Sequence, residues 1–121
     1  MNNFEFSEEF KNRTREFALR VIRLFKALPE KPECQVIGKQ LLRSGTSVAA
    51  NYRAACRSRS RAEFISKMNV VIEEADESVF WIELLFDTGI ISIEKLSPLL
   101  KEANEILCIV SKAQKTAKSH K

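Results

Sequence analysis

The run QLLRSGTSVAANYRAACRSRSRAEFISKMNVVIEEADESVFWIELL, from Gln40 to Leu85, decides how this chain folds. Its first half is rich in small residues and arginines. Ile37, Leu41, Ser44, Val48, Asn51 and Ala55 alternate at spacings of four and three, the signature of one helical stripe. That stripe is thin. Gly38 and Gly45 each weaken a helix by about 0.5–1 kcal/mol relative to Ala, and close approach of another helix backbone is the expected compensation. The second half is apolar and carries carboxylates. Ser60-Arg61-Ala62-Glu63 reads as a capping box that starts a new helix. The turn between the halves is therefore short, and the two helices are antiparallel neighbours.

Working outward, the N-terminal segment repeats the pattern. Phe10, Thr14, Phe17, Val21, Leu24 and Leu28 form one stripe, with Ser7 as its expected cap and Pro29 as its stop. On the C-terminal side, Gly89 suits a helix stop. Ser92, or Ser97 followed by Pro98, opens a fourth helix with a broad stripe from Leu96 to Ala113. The ending KAQKTAKSHK loses apolar residues and is expected to fray into a basic tail. The expected helices span roughly 7–28, 32–57, 60–88 and 92–117. They form an all-α, antiparallel up-down-up-down four-helix bundle, a single domain over residues 1–121.

The composition agrees with an ordinary globular domain: 45% hydrophobic and 30% charged, with three glycines and three prolines, too few for a turn-rich β fold. The net charge is +4 but unevenly placed. Residues 1–67 hold fourteen Lys/Arg against seven Asp/Glu, and residues 68–121 hold six against nine. Cys34, Cys56 and Cys108 are odd in number and lack CxxC spacing, which fits buried, reduced thiols in a cytoplasmic protein. The N-terminus lacks the basic and apolar regions of a signal peptide. No apolar run approaches the ~20 residues needed to span a membrane.

At 100° per residue, Lys39, Arg43, Arg53 and Arg57 fall within about 80° of one another. Arg59 and Arg61 continue this basic stripe round the turn. Beside it, Asn51 reads as a buried hydrogen bond that sets helix register. The third helix carries a core stripe from Phe64 to Phe86. A second apolar set, Val70, Phe80, Trp81, Leu84 and Leu85, points elsewhere, with Glu73, Glu74 and Glu77 among it. Burial between subunits, anchored by Trp81, explains that set; coverage by a flanking helix of the same chain is the alternative.

Enzymatic chemistry has little to work with. His120 is the single histidine and lies in the tail, so a Ser-His-Asp or Cys-His arrangement has no base. The Glu-x-x-His pairs of a di-iron bundle and a Gly-rich phosphate loop are both missing. Small helical ribonucleases that use an Arg and a nearby His lack their His here. No catalytic residue, metal or cofactor is expected, and the acidic cluster Glu73–Glu77 reads as a solvated face or as ion-pair partners.

The run Gln40-Leu41-Leu42-Arg43-Ser44-Gly45-Thr46-Ser47-Val48-Ala49-Ala50-Asn51-Tyr52, followed by Arg57, Arg59-Ser60, Glu63-Phe64 and Glu73-Glu74-Ala75-Asp76-Glu77, closely resembles the bacterial four-helix bundle family encoded in 23S ribosomal RNA intervening sequences. The accessory variability protein of diversity-generating retroelements is a related member. The resemblance implies a cytoplasmic bundle that assembles as a homopentameric ring. It also implies a positively charged surface able to bind nucleic acid, no enzymatic activity and, in the retroelement branch, a reverse transcriptase as partner.

The expectation is a non-enzymatic, oligomeric bundle that binds RNA or DNA by its phosphates through Lys39, Arg43, Arg53, Arg57, Arg59 and Arg61. The alternative is a homo-oligomeric interaction scaffold with no physiological nucleic-acid ligand. There the arginine stripe would pair with the Glu73–Glu77 cluster of the next subunit.

Overall fold

The computed structural model describes residues 3–120. Lys121, the last lysine of the expected tail, lies outside them. Four helices follow in order: α1 (Asn3–Ala27), α2 (Pro32–Ala55), α3 (Arg61–Thr88) and α4 (Ile93–Ser119). Each packs on the next in sequence, and α4 returns to touch α1 more lightly, so the bundle closes through its weakest seam. Short connections make successive helices antiparallel, as the sequence predicts.

The helix ends are set by local chemistry. Pro32 occupies the first turn of α2, where its missing N–H is not needed. The Ser60 hydroxyl accepts from the Glu63 N–H at 3.1 Å and starts α3. Gly89 ends α3 in the left-handed region at φ 71°, which a residue with a Cβ rarely adopts. Two ends differ from expectation, the start of α1 and the end of α4, while α4 opens at Ser92, the first of the two expected starts. α1 begins at Asn3, so Ser7 lies within the helix rather than capping it; Phe6 stacks on Phe10 at 5.9 Å between ring centroids and extends the stripe by a turn. α4 starts after Ser92, whose carbonyl accepts from the Lys95 and Leu96 N–H groups, and Pro98 falls inside it. α4 also stays helical to Ser119, beyond the expected fraying. Gln114 holds that end: it is buried, and its amide donates to the Ile65 carbonyl at 3.0 Å and to Asn69 at 2.5 Å.

The core runs along the predicted stripes, with Phe17, Val21, Leu41, Val48, Met68 and Ile82 almost fully enclosed. The two helical glycines explain how closely α1 lies on α2. A Cβ at Gly45 would stand 2.9 Å from Val21 Cγ2, and one at Gly38 would stand 2.6 Å from Leu28 Cδ1. The polar crossing between α2 and α3 is made by serines. Ser78 donates its hydroxyl to Ser44 at 2.9 Å, both fully buried. Asn51, expected to set register between helices, is only half-buried. It donates instead to the carbonyl and hydroxyl of Ser47, one turn back in its own helix. Leu85, expected on the outward apolar face, is fully buried in the chain's own core. Of the cysteines, Cys34 is buried, Cys56 half-buried and Cys108 exposed, so burial of all three does not hold.

Candidate nucleic-acid interface

Lys39, Arg43, Arg53, Arg57, Arg59 and Arg61 are all exposed, but they do not form one uninterrupted surface. Arg43 reaches across to α3. Its guanidinium donates to Glu74 at 3.1 Å and to Glu77, and Glu77 also accepts the Trp81 indole N–H at 3.1 Å. The Arg43 contact, helped by the indole, holds the Glu77 carboxyl below the usual carboxylate range, and Glu77 raises Arg43 in turn. The positive charge of Arg43 is thus neutralised within the chain.

Arg53 faces the other way. It borders a groove between α1 and α2 together with Lys11 and Arg15, over a floor of Thr46, Ala49 and Ala50. Small floor residues keep the groove open, and Gly45 beneath sets the close helix spacing on which it depends. Glu8 is the one carboxylate on its wall, and it pairs with Lys11. Among the described residues, Arg15 and Arg53 form no ion pair, and neither do Lys39, Arg57, Arg59 and Arg61.

A basic stripe read along one helix does not contain Lys11 and Arg15. The signal that could have found them is the antiparallel register. Val21 opposite Gly45 brings the residues preceding Val21 level with those following Gly45. Arg13, their neighbour in sequence, turns the opposite way to α4, where it donates to Glu102 at 2.8 and 2.6 Å and to Glu105 at 3.2 Å.

The proposed contact face on α3 is divided too. Val70 is 40% exposed and Phe80 50% exposed. Trp81 and Leu84 are half-buried, and Phe80 meets Trp81 edge-on at 4.9 Å. Among the described residues, no three His, Cys, Asp or Glu side chains gather as a metal would require, and no helix is long and apolar enough to cross a membrane. Burial raises both the Tyr52 phenol and the Cys56 thiol, which lie in contact, so Cys56 is poorly suited to act as a thiolate.

These features can be placed beside known proteins. The sequence profile of the 23S rRNA-intervening sequence proteins matches residues 8–112, nearly the whole bundle. The chain belongs to the 23S rRNA-intervening sequence protein family. A solved relative is a protein with unknown function from the S23 ribosomal protein family of Bacteroides thetaiotaomicron. It shares 38% sequence identity over 90% of this chain and 97% of its own, with a TM-score of 0.83. No curated protein matches the chain. The matched residues run from the second turn of α1 into the last third of α4.

Proposed function

We propose that this intervening-sequence protein is a non-enzymatic helical bundle that binds nucleic acid, RNA first, through the phosphates. The observation that carries the reading is the meeting of Lys11, Arg15 and Arg53 along one groove whose floor is small and uncharged. Arg57, Arg59 and Arg61 extend the charge from the end of α2 to the start of α3. Phosphate contacts of this kind position a nucleic acid without reading its sequence. The family's link to 23S rRNA intervening sequences favours RNA over DNA. The single histidine at the end of α4 and the raised Cys56 thiol support a role without catalysis.

Assembly completes the proposal. Val70 and Phe80 leave an apolar face on α3, which a second copy of the chain would cover. A homopentameric ring, as the family resemblance implies, would multiply a weak basic groove by avidity. In a cytoplasmic retroelement setting, a reverse transcriptase would be the protein partner. The interaction-scaffold reading draws on the same α3 face. Its ion-pairing version loses support at Arg43, whose carboxylate partners lie in the same chain.

The test reverses charge in the groove. The triple variant Lys11→Glu, Arg15→Glu and Arg53→Glu is expected to bind a structured RNA at least tenfold more weakly at low salt. The slope of log affinity against log salt should flatten by about 2–3 units, since each phosphate contact contributes about 0.7–0.9. Unchanged affinity in a variant of normal helicity would remove the groove from the interface. A wild-type particle of monomer mass in light scattering would remove the ring.

A further inference from the structure

A second concavity lies on the other side of the N-terminal turns of α1, between α1 and α4, where the bundle closes most lightly. Its volume of about 670 Å³ falls within the range of small-ligand sites. Phe6, Phe64, Ile109, Ala113 and Ala117 supply apolar walls. Ser7, Tyr52 and Thr116 supply hydroxyls, and Lys112 and His120 line it as well. Among the described residues, no carboxylate lines it. The cleft exists because Ala113 and Ala117 present small side chains where larger residues on α4 would meet α1.

Phe6 is the informative residue. Its ring lies nearly parallel to Phe10, 8° between planes, and Phe10 is itself fixed edge-on against buried Tyr52 at 4.8 Å. Phe6 nevertheless remains 41% exposed. A ring held in place from behind and open in front is a stacking platform, and stacking on such a ring accepts any base. The chemistry of the cleft is that of a flat aromatic ligand with an attached anion: an aromatic wall, hydroxyls that donate and accept, and a lysine that pairs with no carboxylate among the described residues.

We propose that this α1–α4 cleft takes an unpaired nucleobase of a single-stranded RNA, stacked on Phe6, with Lys112 against the adjoining phosphate. The inference rests on the nucleic-acid reading of the α1–α2 groove and adds a ligand class to it. The two concavities flank the same turns of α1. At a rise of about 1.5 Å per residue, Phe6 and Lys11 stand about 7.5 Å apart along the helix axis. A short single strand can therefore occupy both, whereas a base held in a duplex stack cannot enter the cleft.

The test compares an eight-nucleotide single-stranded RNA with a blunt-ended RNA duplex at one salt concentration, by fluorescence anisotropy on the full chain. Phe6→Leu removes the stacking ring but keeps an apolar side chain. Ala113→Leu fills the cleft from α4 and serves if Phe6→Leu folds poorly. Each is expected to weaken single-strand binding about 5- to 100-fold, the effect of one lost base stack, and to leave duplex binding unchanged. A 2-aminopurine in the strand should be quenched by the wild type and not by Phe6→Leu. Single-strand affinity that survives both substitutions, or equal losses on single strand and duplex, would overturn the cleft while leaving the groove intact. A wild type that binds neither RNA would overturn both.

Discussion

Arg43 and Arg53 lie on the two edges of one basic stripe of α2, about 80° apart, yet they end in opposite electrostatic situations. Arg43 is gripped by Glu74 and Glu77 of α3, with the Trp81 indole completing the cluster. Arg53 stands over a groove with Lys11 and Arg15, and among the described residues no carboxylate pairs with it. Helical periodicity treats the two residues as equivalent. The neighbouring helix makes them different, because α3 presents acids to one edge of α2 and α1 presents bases to the other. A stripe of charge becomes a binding surface only where the adjacent element leaves it uncompensated.

The largest effect should come from the seam that builds the groove. Val21 is fully buried, and a Cβ at Gly45 would approach it to 2.9 Å. Gly45→Val is therefore expected to force α1 away from α2 and to destabilise the fold by about 1–3 kcal/mol, read as a lowered midpoint in urea. RNA affinity should fall with it, while the Arg43 contact on the far edge persists. An unchanged midpoint would mean that the α1–α2 seam is not what spaces the groove.

A middle effect should separate the two arginines directly. Arg43→Glu places like charges beside Glu74 and Glu77, and at this exposed site the loss of stability should be about 1 kcal/mol or less. Its effect on RNA affinity should be smaller than that of Arg53→Glu. Equal effects in a binding titration would dissolve the distinction between the paired and open edges.

The smallest effect is pH-dependent. Glu77 is held below the ordinary carboxylate range in the folded state, by Arg43 first and Trp81 second. Its contribution is therefore present above the unfolded carboxylate pKa, and is lost as pH falls through the lower folded value. After screening by solvent, this amounts to less than about 1 kcal/mol. Glu77→Gln should remove that acid-side component and shift Trp81 fluorescence at neutral pH. Identical acid unfolding curves for the two proteins would place the acid sensitivity elsewhere.

Much of the bundle was legible because each helix writes its buried face at fixed spacing. Phe10, Phe17 and Val21 of α1 and Met68, Val71 and Ile82 of α3 are buried where their stripes predict. Errors arose where a partner helix overrode the local pattern. Asn51 finds acceptors within its own helix, at Ser47, and the polar α2–α3 crossing is made by Ser44 and Ser78. Leu85 was assigned outward by its neighbours Phe80 and Leu84, yet it lies in the core. The lysine-rich end of α4 looked too polar to persist, but Gln114 finds partners on α3. Lys11 and Arg15 fall outside a basic stripe read along one helix, because the groove is shared by two.

The sequence by itself determined the all-α class, the number and order of the helices, the turns at Pro29, Ser60 and Gly89, and the close approach of another helix to α2 through Gly38 and Gly45. All of these follow from interactions within a few residues or from the absence of a side chain. Only the tertiary structure decided which arginines are neutralised, that α1 contributes to the basic groove, and that a cleft opens beside Phe6. Those outcomes depend on which side chains face each other across helix seams. Antiparallel packing brings together residues distant in sequence, and charge compensation falls off over a few ångströms.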